Sequence, residues 1–235
     1  MPQLLPGEDR EAGRKIEVLF KKKGTKVNTN TDASSIDIKD FEMVLVAVGR
    51  SPKAEGLGLE ENGIRTEKGR IVVDENLRTS IPNIFAAGDV TGKKLLAHFA
   101  AYQGNLAAEN IAHPDSLGEA SDAAVPSCIF TDPEVASVGL NEERALAKEI
   151  DIKVNKFDFL GSGMARILNE AEGFIKIISH KETEEVLGGV IIGPRATELI
   201  GILTLAVSSR LKTSAIRNTI FAHPTLSESI REALI

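Results

Sequence analysis

The sequence is poor in several things at once. Only one cysteine, Cys128, occurs among the 235 residues, and tryptophan is absent. A single thiol cannot close an intrachain disulfide, and it argues against a cysteine-based metal site, so nothing points to an oxidising compartment. A cytoplasmic location with no metal is the expectation. An excess of positive charge is also missing: 28 Lys and Arg stand against 34 Asp and Glu, a formal net charge of −6. Such a field repels phosphate backbones and anionic lipid, so neither nucleic acid nor a membrane is an expected partner. The N-terminus, Met1 to Asp9, has no basic stretch leading into an apolar one and does not read as a targeting segment. The longest uncharged apolar run, Leu199 to Ser209, falls far short of the roughly 20 residues that a bilayer span requires.

What is present is an ordinary globular composition, 42% hydrophobic and 26% charged. At about 150 residues per domain the length suggests one or two domains with a substantial core. Glu8 and Asp9 open a helical pattern through Ala12, Ile16, Leu19 and Phe20, closed by Lys21, Lys22, Lys23 and Gly24. Acids first, bases last and a terminal glycine are the charge order a helix dipole favours. The lysine triplet reads as the complement of a helix C-terminus ahead of an anion patch. After a polar stretch, Phe41 to Gly49 reads as a buried strand, and Arg70 to Asp74 and Asn83 to Ala87 as two short ones. Leu95 to Ala112 reads as a helix rich in small residues, and Ser116 to Ala124 as a linker.

Beyond the linker the pattern becomes α+β with a largely antiparallel sheet: strands at Ser127 to Phe130, Val135 to Gly139, Ile152 to Phe159, Phe174 to His180 and Val186 to Ile192, and a helix at Asn141 to Glu149. Glu198 to Leu211 is a helix apolar nearly all round, which calls for cover on most sides. A central core helix and a subunit interface explain it equally well.

No phosphate-binding loop is convincing. Gly161-Ser162-Gly163-Met164-Ala165-Arg166 puts Arg where the third glycine of a dinucleotide fingerprint belongs, and Gly88 to Lys94 has the wrong spacing. Three other segments are more informative. Thr79-Ser80-Ile81-Pro82-Asn83-Ile84-Phe85-Ala86-Ala87-Gly88-Asp89-Val90 is a turn and an apolar run ending in a carboxylate; Val46-Ala47-Val48-Gly49-Arg50-Ser51-Pro52 precedes it by about thirty residues. Phe221-Ala222-His223-Pro224-Thr225-Leu226-Ser227-Glu228 lies near the C-terminus. Read alone, Asp89 is a turn or cap residue, and Thr225 with Glu228 has the Thr-x-x-Glu form of a capping box that leaves His223 a plain loop histidine.

Together, in this order and spacing, these segments resemble the pyridine nucleotide-disulfide oxidoreductases, and the chain is similar to the C-terminal half of their dihydrolipoyl dehydrogenase branch. Gly173-Phe174-Ile175-Lys176 and Gly193 to Ile200 resemble that family's dimerisation domain. The resemblance implies an α/β to α+β fold: remnants of nucleotide-binding domains, 1–50 for NAD and 51–118 for FAD, followed by a dimerisation domain over 119–235. It implies an oxidation of dihydrolipoamide in which electrons pass through FAD to NAD, within cell redox homeostasis. His223 would be the acid-base group and Glu228 would orient its ring. Asp89 would accept a hydrogen bond from the ribityl chain of FAD, with Gly49, Arg50 and Gly88 beside it and Leu96, Ala97 and His98 at the start of a helix facing the flavin. His98 would contribute backbone, its side chain facing solvent. A homodimer is implied, as is a missing N-terminal half or a 2-oxo acid dehydrogenase complex as partner.

The chain also departs from the family. The Gly-x-Gly-x-x-Gly loop for the ADP half of FAD, the Cys-x-x-x-x-Cys redox pair and the glycine-rich NAD loop have no counterpart, and Cys128 reads as a small buried residue. Alone, the chain is expected to be inactive. A non-catalytic dimerisation module is the alternative, and flavin retention separates the two. The region from Val125 is expected to fold independently and Met1 to Gly118 to be poorly packed or rearranged, because its strands lack neighbours.

Overall fold

The computed structural model describes all 235 residues and divides into two compact units, one made of Met1–Asp37 with Ala123–Ile235, the other of Ile38–Asp122.

The first unit is built on a five-stranded antiparallel sheet in the order β3-β4-β7-β6-β5, from β3 (Ser127–Ile129), β4 (Glu134–Gly139), β5 (Ile152–Asp158), β6 (Phe174–His180) and β7 (Val186–Gly193). Side chains alternate between its faces with period two. Ala136, Val138, Ile175, Ile177 and Ile191 share one buried cluster with Leu199, Ile200, Leu203 and Ala206 of the helix Ala196–Ser208. Val135, Phe174, Val190 and Ile192 point the other way, into a cluster with Ala12 and Ile16 of the helix α1 (Arg10–Lys22). Both faces are covered, so β6 and β7 are buried almost end to end. Gly189 makes one approach possible: a Cβ there would lie 2.8 Å from Leu203 Cδ1.

The expected first helix forms where its caps require. Asp9 accepts from the N–H groups of Glu11 and Ala12 at 2.9 and 3.2 Å. The lysine triplet is paired: Lys21 with Glu17, Lys22 with Glu172 and Lys23 with Asp132. Lys176 lies on the α1 side of β6, 4% exposed, with its Nζ 3.0 Å from Asp9, 2.9 Å from Glu11 and 2.7 Å from Glu142 at the start of α3 (Glu142–Ala147). Burial alone would lower its pKa, but the hydrogen bonds it donates to Glu142, Glu11 and Asp9 outweigh it and hold the ammonium well above its ordinary value.

This grouping crosses the expected three-part division. Residues 1–37, expected in an NAD-binding remnant, belong to one unit with 123–235, because the apolar stripe of α1 finds its cover there. Of the two outcomes expected for Met1 to Gly118, poor packing or rearrangement, the first is corrected: α1 is bedded on the sheet, and Ile38–Asp122 is compact with its own cluster of Ala54, Ile64, Ile71 and Ala86.

Within that second unit the strand expectations need the largest correction. Phe41 to Gly49 is extended but pairs with nothing and is exposed throughout. Arg70 to Asp74 shrinks to β2 (Arg70–Ile71), a two-residue ladder with β1 (Thr66–Glu67) closed by Lys68 and Gly69 at φ 50 and 79. Asn83 to Ala87 keeps a single bridge, Phe85 to Arg78. A strand requires a neighbour as well as an apolar sequence, and here neighbours are lacking. The expected second helix is α2 (Ala97–Ala112), which buries Phe99, Gln103, Ala107 and Asn110 along one stripe.

In the first unit the all-apolar helix is α5 (Ala196–Ser208), after the short α4 (Gly163–Ile167); its inner stripe is buried as the core-helix reading requires, while Leu205 remains 62% exposed. Cys128 is half-buried on β3 rather than buried; burial and the charges of Glu134, Glu198 and Glu8 push its thiol pKa up, which makes it a poor thiolate. No helix is long and apolar enough to cross a membrane.

Candidate functional site

The C-terminal segment comes first. After α6 (Thr213–Arg217) the chain runs through a loop with a cis His223–Pro224 bond into α7 (Glu228–Glu232). Leu226, Ile230, Ala233 and Leu234 are buried in the main core, so the last turn is anchored. Ser229 Oγ donates to Ser162 Oγ at 3.1 Å, and Arg231 Nε donates to the Arg217 carbonyl at 3.2 Å. The loop is held from below while its tip stays open.

At that tip His223 and Glu228 meet. His223 Nδ1 is 2.9 Å from Glu228 Oε2, and Glu228 Oε1 accepts from the Thr225 N–H at 3.1 Å. The Glu228 N–H in turn faces Thr225 Oγ1 at 3.4 Å. Capping box and histidine orienter, set against each other by the sequence, are thus one carboxylate using its two oxygens for two tasks. Glu228 is held below the ordinary carboxylate value, chiefly by the hydrogen bond with His223 and further by the Thr225 backbone. With an ionised acceptor at Nδ1 the ring carries its proton there, and Nε2 is left as the basic nitrogen of a side chain 77% exposed. The arrangement can take a proton from a thiol brought to it from outside.

The second group lies in Ile38–Asp122. Gly88 sits at φ 82 and ψ −158, a conformation open to glycine alone, and a Cβ there would lie 3.2 Å from the Cβ of Ala100 on α2. Its N–H donates to Gln103 Oε1 at 2.8 Å, and its carbonyl accepts from Thr91 N and Oγ1 at 2.9 and 2.8 Å. Asp89 follows, exposed, at the start of a 3-10 turn. Leu96 caps α2 with no side-chain hydrogen bond, and Ala97 and His98 on its first turn are exposed. Gly49, at φ 114, and Arg50 lie on the unpaired extended segment.

The structure therefore brings His223 to Glu228, and Gly88 to α2, while Gly49 and Arg50 make no contact with either group. Gln103 and Thr91 were not legible as functional residues, yet they fix both ends of Gly88. The only signal was a polar residue in a helix otherwise rich in alanine. Gln103 is fully buried and its Nε2 has no partner, an orphaned donor in the same place. A strained glycine turn followed by an exposed carboxylate is compatible with the ribityl end of a flavin; the adenine half, the redox disulfide and NAD find no matching loop or cysteine pair.

Residues 1–104 match the family described as pyridine nucleotide-disulphide oxidoreductase, and residues 125–234 match its dimerisation domain. The chain belongs to the pyridine nucleotide-disulphide oxidoreductase family. Among curated relatives, the dihydrolipoyl dehydrogenase of Thermus scotoductus is 41% identical over 253 residues, covering 99% of this chain and 54% of the relative. That of Chlamydia pneumoniae is 40% identical over 242 residues, covering 97% and 52%. Among solved structures, LpdA from Mycobacterium tuberculosis superposes with a TM-score of 0.87 at 31% identity, covering 97% of this chain and 53% of that one. The HOCl-induced flavoprotein disulfide reductase RclA from Escherichia coli gives 0.82 at 27% identity, covering 98% and 56%. The chain spans about half the length of the curated relatives it matches.

Proposed function

We propose that this chain is the C-terminal part of a dihydrolipoyl dehydrogenase-like flavoenzyme and that its His223–Glu228 pair is the acid-base group for a dithiol substrate. The supporting observation is the 2.9 Å contact between His223 Nδ1 and Glu228 Oε2, with Nε2 presented on an exposed loop. Dihydrolipoamide, suggested by the relatives' names, is the substrate. Nε2 removes a thiol proton so that the thiolate forms, and Glu228 stabilises the imidazolium that results. Asp89, the Gly88 turn and the opening of α2 hold one end of FAD, which when bound supplies the electron relay between dithiol and NAD. The dimerisation domain supports a homodimer, and an interface through the exposed side of α5 around Leu205 closes a two-fold assembly. A 2-oxo acid dehydrogenase complex is the assembly such an enzyme would serve, in the cytoplasm.

A second reading, a non-catalytic dimerisation module, is favoured by the lone Cys128. One fusion separates the two. Joining this chain to the part of the Thermus scotoductus enzyme outside the match should yield a yellow, flavin-loaded protein that reduces NAD with dihydrolipoamide. A folded, dimeric but colourless and inactive fusion would leave only the module.

A further inference from the structure

Gln103 has no access to water, 0% exposed on a helix whose buried stripe also holds Phe99, Ala107 and Asn110. Its Oε1 accepts from the Gly88 N–H at 2.8 Å, and its Nε2 has no partner. A methionine would fill much the same space without burying an unpaired donor, which costs free energy. What the amide adds is the acceptor. Gly88 is itself buried, so its N–H requires a partner within the protein. Thr91 N and Oγ1 hold the Gly88 carbonyl at 2.9 and 2.8 Å, but those bonds close within the turn. Gln103 reaches Gly88 from fifteen residues away, on another element.

We propose that Gln103 is a positioning residue for the flavin turn: through Oε1 and the Gly88 N–H it ties the turn to α2 and fixes the direction in which the Asp89 carboxylate leaves it. Asp89 is exposed, and its side chain has no hydrogen bond or ion pair of its own, so the backbone is what aims it. That backbone is intrinsically loose. Gly88 reaches φ 82 and ψ −158 because it carries no Cβ, and for the same reason many other conformations are open to it. The bond from Gln103 selects one. Turning the peptide away would leave the Gly88 N–H and Gln103 Oε1 buried and unpaired, and would swing the residue that follows, Asp89. Gln103 has this role only if Asp89 and the Gly88 turn hold one end of FAD, so it rests on the function proposed above and names what holds that site in place.

Two measurements on Gln103→Met and Gln103→Glu test this. In the full chain alone, backbone amide exchange at Gly88 should be at least about 10-fold faster in Gln103→Met and near the parent rate in Gln103→Glu, whose carboxyl oxygen keeps the acceptor, with β6 and β7 unchanged in both. In the fusion with the part of the Thermus scotoductus relative outside the match, stripped of flavin and titrated with FAD by fluorescence, Gln103→Met should weaken binding by about 10- to 100-fold, the usual effect of removing a group that holds a ligand-binding side chain from behind. Gln103→Glu should restore it, a rescue that a residue serving only to pack α2 would not show. Parent-like affinity in Gln103→Met, or affinity in Gln103→Glu as weak as in Gln103→Met, would overturn the role of Gln103 and leave the flavin reading standing. If Gln103→Met loses protection along the whole of α2, Gln103→Asn, an amide one methylene too short to reach Gly88, takes its place, and parent-like FAD affinity there would be equally fatal. A parent fusion that binds no FAD would instead defeat the flavin reading, and the role of Gln103 with it, even where the Gly88 amide responds as expected.

Discussion

Strand β6 and the segment Phe41–Val48 are alike in sequence and opposite in structure. Both are short apolar runs rich in β-branched residues. Residues 174–179 of β6 are buried between two neighbouring strands, with α5 on one side and α1 on the other. Residues 42–48 have no partner for their backbone and are exposed throughout. An apolar extended sequence is a capacity to be a strand, and the surrounding chain decides whether that capacity is used.

The same difference sets what could be read in advance. Strands of the C-terminal unit were legible to within a residue because their hydrophobic period and their neighbours lie in one stretch of chain, as in the antiparallel pairing of β6 with β7. The strand at 41–49 was misread because no other segment of the chain pairs with it. His223 and Glu228 were legible because five residues separate them, and local geometry can join what local sequence pairs. Lys176 and Gln103 were not, since what makes them matter arrives from distant segments: Asp9 and Glu142 for the lysine, Gly88 for the glutamine.

Several substitutions would break or sharpen the contrast. The largest effect is expected at Lys176→Met, which strands three carboxylates against β6 and should destabilise by about 3–5 kcal/mol in chemical denaturation. Ile177→Ala, emptying a fully buried site, should cost about 2–5 kcal/mol. Leu45→Ala, at a side chain 87% exposed, should stay within about 0.5 kcal/mol. Equal losses at Ile177 and Leu45 would erase the distinction between the two regions.

Acid separates α1 from the sheet before the sheet itself is lost. Burial raises the pKa of Glu11, but hydrogen bonds from Lys156 and Lys176 outweigh it and lower the value, and the hydrogen bond from Lys15 lowers that of Glu172. A carboxyl with a lowered folded pKa contributes stability that is full above its ordinary value of 4.5 and fades as pH falls through the lowered one. Lys176, shifted upward, keeps its contribution to at least pH 10.5. Amides of α1 should therefore lose protection at acid pH while those of β6 keep it, with no matching loss on the alkaline side up to that value. A small loss is expected at Thr225→Ala, which removes the reciprocal cap on Glu228 for about 1 kcal/mol, read as a modest drop in melting temperature.

The function turns on whether the His223–Glu228 contact moves protons or merely holds a loop. In the fusion carrying the part of the Thermus scotoductus relative outside the match, His223→Gln should lower dihydrolipoamide turnover by about 10²- to 10⁴-fold with the melting temperature unchanged. Turnover equal to the parent together with a lowered melting temperature would contradict the acid-base role and leave His223 as a structural neighbour of the cap.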